Sequence, residues 1–254
     1  MDRKIEEAFA SATKILFGKP LSPIGKYEKW LVERTPAAAN VKSALGKGGC
    51  YMPDYSFFGR VPRARIASKE EFEAAGKMKM QGLSEASTLA QIANKLKEFA
   101  YFVPDYSEGS NVNVQNSTGY FNCMNIANGF DIFDTKNSGD TFSVMGSEAV
   151  FGSYRILTSK FLIHCYNAYS LNRCFEMDYA KNCNDSMFCH NVESLDNCMF
   201  CFNVKGKRYA IANCEVGREE YLRVKKIVVD GIVAALERDG KLGFDVYNVL
   251  GKGK

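Results

Sequence analysis

Written from Asn111 in rows of twelve, the sequence runs without a gap for nine rows, up to Arg218. The tenth column then reads Tyr120, Ile132, Val144, Ile156, Ala168, Ala180, Val192, Val204 and Val216. The fourth and seventh columns stay small or apolar, from Val114 and Ser117 down to Ala210 and Asn213. Two rows are near copies, Met187-Phe188-Cys189-His190-Asn191-Val192 and Met199-Phe200-Cys201-Phe202-Asn203-Val204. A fixed period means one supersecondary unit stacked many times. Twelve residues are too few for a helix pair, which needs about 30 or more. Two short strands and two tight turns fit. The expected fold is therefore mostly β, a β-solenoid or β-helix whose rungs stack about 4.8 Å apart. One coil is either one row or two, giving a rod of roughly 40 Å or half that.

Composition places the edges of the stack. All six prolines precede residue 105, and eight of the nine cysteines lie between Cys123 and Cys214. Asparagine concentrates in the same segment, where it suits turns and can hydrogen-bond from rung to rung. These shifts coincide near Glu108-Gly109-Ser110 and divide the chain into an N-terminal helical region (1–110), the repeats (111–217) and a C-terminal capping helix with a tail (218–254). In the first region Asp2 caps a helix with Ile5, Ala8, Phe9, Ala12, Ile15 and Leu16 at helical spacing, ending at Gly18. Ser68-Lys69-Glu70-Glu71 reads as a capping box, and Ser84 as the cap of a helix carrying Leu89, Ile92, Leu96 and Phe99. Pro53-Asp54-Tyr55-Ser56 and Pro104-Asp105-Tyr106-Ser107 read as turns. After Gly217, Val224, Ile227, Val228, Gly231, Ala235 and Leu236 predict a helix closing near Gly240, as a solenoid end needs a cap. The tail residues Phe244, Val246, Tyr247, Val249 and Leu250 are expected to add a strand or to dock on the body.

Larger apolar side chains fill further columns: Phe130, Phe142, Tyr154, Tyr166 and then Phe202 in the eighth, Phe121, Phe133, Met145, Leu157 and Tyr169 in the eleventh, and Phe151, Ile163, Phe175, Met187, Met199 and Ile211 in the fifth. A thin solenoid cannot hold them all inside. The protein's own helices cover some, or another chain does.

The cysteines admit a structural account, a metal site or a reactive thiol, and neither of the latter two has a neighbouring basic cluster that would lower a thiol pKa. Cys165, Cys174, Cys189, Cys198 and Cys201 stand in small-residue columns, where a reduced thiol is a compact buried hydrophobe. The alternative is a zinc or iron site drawn from Cys183, Cys189, His190, Cys198 and Cys201, because Cys198-Met199-Phe200-Cys201 has CxxC spacing. Against it, residues three apart on an extended strand point to opposite faces unless a turn intervenes.

The run Asn197-Cys198-Met199-Phe200-Cys201, followed by Lys207-Arg208-Tyr209 and Arg218-Glu219-Glu220-Tyr221, resembles the last repeats of an uncharacterised cysteine-rich repeat family of environmental bacterial genomes. The resemblance spans roughly residues 111–226. Members of that family often carry a zinc ribbon before the repeats. Here residues 1–110 hold one cysteine, Cys50, so that ribbon is missing. The resemblance supports the fold and implies no activity.

Catalysis finds little footing. The rows have no insertions for long active-site loops, and Gly46-Lys47-Gly48-Gly49 lacks the spacing of a phosphate loop. His164 and His190 sit in different columns, without an evident Ser or Asp partner. The net charge of +4 is too small to point to nucleic acid, and no apolar run is long enough to span a membrane. The acidic N-terminus has no leader-like apolar stretch, and the thiols suit a reducing compartment, so a cytoplasmic location is expected. The expected function is a non-enzymatic scaffold with no cofactor, binding copies of itself or another protein.

Overall fold

The structure is a computed structural model that describes the chain except residues 1, 55–57, 83, 170, 250 and 252–254, and the side chain of Tyr169. Tyr55, Ser56 and Leu250, named above, lie outside the described residues. The repeat folds as a parallel β-solenoid. Successive rungs pair in parallel with a register of twelve: Ile126 with Ser138, Val150 with Leu162, Ala168 with Ile156, and Ala180 with Val192. One row is therefore one coil, and the rod is roughly 40 Å long.

The coil is not two strands and two turns. From residue 113 to 212, every third described residue has φ between 42° and 68°, glycine or not. Each left-handed residue resets the pleat, so the chain turns a corner every three residues and the coil has four sides. The first, fourth, seventh and tenth columns point inward. The second, fifth, eighth and eleventh face outward, and the remaining columns are the corners. This explains the asparagines. An L-residue at such φ costs roughly 1–2 kcal/mol, and Asn and Asp tolerate it best. Corner amides also form ladders: Asn113 Nδ2 donates to Asn125 Oδ1 (3.0 Å), and Asn125 Nδ2 to Asn137 Oδ1 (2.7 Å).

The interior is a file of Ile, Val, Leu, Ala, Cys, Ser and Thr. Inward serines satisfy two backbone groups at once. Ser153 Oγ donates to the Phe151 carbonyl (2.9 Å) and accepts the Cys165 N–H of the next rung (3.1 Å); Ser186 does the same for Asn184 and Cys198.

Helices and tail cover the fifth-column face. Helix α1 (Arg3–Phe17) is capped by Asp2, whose carboxylate accepts the Lys4 N–H, and ends at Gly18 with φ 72°. Its buried stripe is Ile5, Phe9, Ala12, Thr13, Leu16 and Phe17. Phe9 meets Phe151 edge-on at 5.3 Å, and Phe17 meets Phe175 at 5.1 Å. Helix α2 (Glu28–Leu31) buries Trp30 and Leu31 beside them. Each fully buried side chain of this size is worth about 1.5–3 kcal/mol.

The N-terminal region also contains a hairpin not foreseen from sequence. Strands β1 (Ala38–Lys42) and β2 (Gly49–Pro53) pair antiparallel, and Cys50 and Met52 pack on Ile66. The Ser68 capping box is present and leads through a 3-10 turn into α3 (Phe72–Gly76). Helix α4 (Leu89–Phe99) is capped by Thr88 with Gln91 rather than by Ser84. Ser107–Glu108 already pairs with the first rung, and Cys214–Glu215 folds back antiparallel on Arg208–Ile211 to close the far end. Helix α5 (Arg218–Asp239) follows, ending at Gly240, and the tail docks through Leu242 and Val246. Among the described residues no helix is long and apolar enough to cross a membrane.

Candidate functional site

The four outward faces differ. The fifth-column face is covered by the helices. The second-column face is polar along most of its length, with rung-to-rung ion pairs between Lys160 and Glu148 (3.0 Å) and between Arg208 and Asp196 (3.0 Å). Such exposed pairs are worth little. The eleventh-column face lies opposite the helices; it is apolar over its first rungs and charged over its last, where Lys205 pairs with Glu193 (2.6 Å). Phe121 stacks on Phe133 with centroids 5.2 Å apart and planes 15° apart; Met145 (46% exposed) and Leu157 continue the file. Tyr106 leans on Phe121 at 5.1 Å and is itself 57% exposed. Across the corner, Val112 (54% exposed) and Met124 (39% exposed) extend this surface.

Both histidines have carboxylate partners, contrary to expectation. The partner is one rung away, twelve residues in sequence, a spacing that brings side chains together only in a stack. His164 Nδ1 lies 3.2 Å from Glu176 Oε1, both fully buried, with Trp30 packed on the imidazole at 4.4 Å. The Val246 N–H donates to Glu176 Oε2 (3.0 Å), so the tail seals the pair. Burial pushes the His164 imidazole down to about 4 and the Glu176 carboxyl up to about 9. At neutral pH both partners are held uncharged. His190 Nδ1 meets Asp178 Oδ2 at 2.7 Å on the eighth column, where the imidazole is half exposed. Its column neighbours, Tyr166 and Phe202, offer no nucleophile of the Ser or Cys type.

The cysteines take the serine role. Cys165 Sγ lies 3.3 Å from the Cys174 carbonyl, and Cys123 Sγ is 3.1 Å from the Phe121 carbonyl. Cys198 and Cys201, three apart, both point inward. The strand is interrupted between them by a left-handed residue, Phe200 with φ 55°, which is the intervening turn that brings both to one side. The Cys189, Cys198 and Cys201 Sγ atoms point at the carbonyls of Met187 (3.2 Å), Lys207 (3.3 Å) and Met199 (3.5 Å). Burial together with the neighbouring Cys201 sulfur raises the Cys189 thiol, and that sulfur together with burial raises the Cys198 thiol. Burial likewise raises Cys174 to about 12 and raises Cys183. His190 faces outward while Cys183, Cys189, Cys198 and Cys201 face inward, so the five do not converge. Among the described residues no group of three or more His, Cys, Asp or Glu has the arrangement to hold a metal ion.

No protein-family model, curated protein or solved structure matches this chain.

Proposed function

We propose that the chain is a non-enzymatic scaffold whose eleventh-column face is an interface between two copies of itself. The single observation behind this reading is the apolar file of half-buried Phe121, Phe133 and Leu157 with exposed Met145, on the side opposite the helices. Soluble proteins seldom leave such contiguous apolar surface uncovered. The occupant argued for is a second copy, because the spacing of the file is set by the rung repeat. Two identical files related by a twofold axis share that spacing, and their rings interdigitate. A net charge of +4 opposes this contact only weakly. The uninterrupted rows and the buried thiols support a structural role in a reducing, cytoplasmic setting. The terminal rungs fit membership of the cysteine-rich repeat family they resemble.

Light scattering on purified protein tests the interface. The wild type should run as a dimer, and Phe133→Glu as a monomer with an unchanged circular dichroism spectrum. A wild type that stays monomeric up to about 100 µM overturns the proposal.

A further inference from the structure

One corner ladder ends abruptly. Asn116 Nδ2 donates to Asn128 Oδ1 (3.5 Å), and Asn128 Nδ2 donates to Asp140 Oδ1 (2.8 Å). The next corner is Gly152, where a Cβ would stand 2.5 Å from the Leu31 carbonyl oxygen at the end of α2. Glycine lets α2 approach, and it leaves no side chain to meet the second carboxylate oxygen. Asp140 is 3% exposed, and its Oδ2 finds no hydrogen-bond partner among the described residues.

Corner side chains point away from the core, and Asp140 is one of the residues lining a cavity of about 500 Å³ between the rungs, α2 and the β1–β2 hairpin. Phe130, Phe142 and Tyr51 wall it, and Glu28 and Glu33 stand on its α2 side. Among the described residues no Lys, Arg or His lines it. Burial, reinforced by the nearby charge of Glu28, pushes the Asp140 carboxyl up to about 6; burial with the charges of Asp140 and Glu28 raises the Tyr51 hydroxyl to about 12. A buried acid with an unmatched oxygen is costly unless a counter-charge arrives.

We propose that this cavity binds a small primary alkylammonium, with the ammonium on Asp140 and the alkyl chain between Phe130, Phe142 and Tyr51. An ammonium carries three donors and suits an orphan carboxylate oxygen beside amide and carbonyl acceptors, and aromatic faces attract it further. The volume fits a small organic ligand. A bare divalent ion would need several converging oxygens, and no group of three acidic side chains converges here among the described residues. Glu28, at the exposed side, places a second carboxylate for a diamine.

Calorimetric titration of the full chain with 1,4-diaminobutane tests this at neutral pH and constant ionic strength. Butylamine, Nα-acetyllysine methylamide and calcium chloride serve as the other arms. The diamine should bind with a stoichiometry near one, and more tightly than butylamine. Binding of the lysine derivative in preference to both amines would identify the same ammonium carried on a polypeptide and support the site. Asp140→Asn keeps the ladder acceptor and tolerates a φ of 53°, so it should fold normally and weaken the diamine by at least about tenfold. Glu28→Gln should weaken the diamine and leave butylamine unchanged. No amine binding up to about 10 mM, equal binding by Asp140→Asn, or calcium binding in preference to the amines overturns the proposal.

Discussion

Replacing Asn125 separates the two things a corner residue does. It sits at φ 54°, half buried, accepts from Asn113 (3.0 Å) and donates to Asn137 (2.7 Å). Each ladder bond is worth a net ~0.5–1.5 kcal/mol, so losing both costs ~1–3 kcal/mol. Asn125→Gly loses that and a further ~0.5–1 kcal/mol of chain entropy, but meets no steric penalty at positive φ. Asn125→Ala loses the same bonds and adds ~1–2 kcal/mol for the left-handed backbone, about 2–5 kcal/mol in all before the smaller strain of Asn itself is credited. Asn125→Val should be worse still, because its branched Cβ crowds the backbone. The expected order of stability is therefore wild type, Gly, Ala, Val. Urea unfolding followed by far-ultraviolet circular dichroism measures it, with fluorescence of Trp30, the sole tryptophan, as a second probe of α2 docking. Coincident transitions are needed before midpoints become free energies, since stacked rungs can melt in parts. A glycine variant less stable than the alanine one would refute the corner assignment.

Two further outcomes follow from burial. Of nine cysteines, Cys214 is the one exposed thiol among the described residues, so the native protein should titrate one fast thiol with a disulfide reagent and nine in denaturant. Fast reaction of Cys189 or Cys201 would place those sulfurs outside the core. The Glu176 carboxyl, ordinarily near 4.5, rises to about 9 on folding, so the folded chain holds an extra proton between those values and stability falls as pH rises. His164, depressed from 6.5 to about 4, offsets this up to about pH 6.5; above that, stability should drop by up to ~1.4 kcal/mol per pH unit toward pH 9. Glu176→Gln should flatten the slope in thermal melts, and an unchanged slope would refute the assignment.

The stack was legible in the sequence because every rung puts equivalent residues in equivalent surroundings. Val144, Ile156, Ala168, Ala180 and Val192 share one file, so their common smallness survives as a column. The first column escaped notice because its inward residues are chemically mixed: Cys123, Thr135, Ser147, Leu171 and Leu195 are all buried yet share only size. The corners were half legible. Asn and Asp marked some, but Phe161, Arg155 and Phe188 occupy the same left-handed positions, and nothing in those residue types signals φ > 0. The hairpin 38–53 was missed because the Ala38–Lys42 strand is mostly exposed and carries no apolar alternation.

Charge pairing was illegible for a different reason. His164 with Glu176 and His190 with Asp178 lie twelve apart, and that distance has meaning only once one row is known to be one coil. With that known, a ladder rule reads polar residues down each column, and Asn113, Asn125 and Asn137 satisfy it rung after rung. A satisfied ladder needs nothing else. The informative positions are therefore the breaks, where one rung offers a charge and the next offers nothing. Asp140 above Gly152 is such a break, and its cause is external to the repeat: the Leu31 carbonyl of α2 occupies the place of the missing side chain. Column reading alone finds the interruption; only the docking of α2 and the β1–β2 hairpin turns it into a walled cavity with an unmatched carboxylate. For a fold this regular, departures from the repeat that the helices enclose are where binding chemistry concentrates, and the uniform rungs between them hold those departures in place.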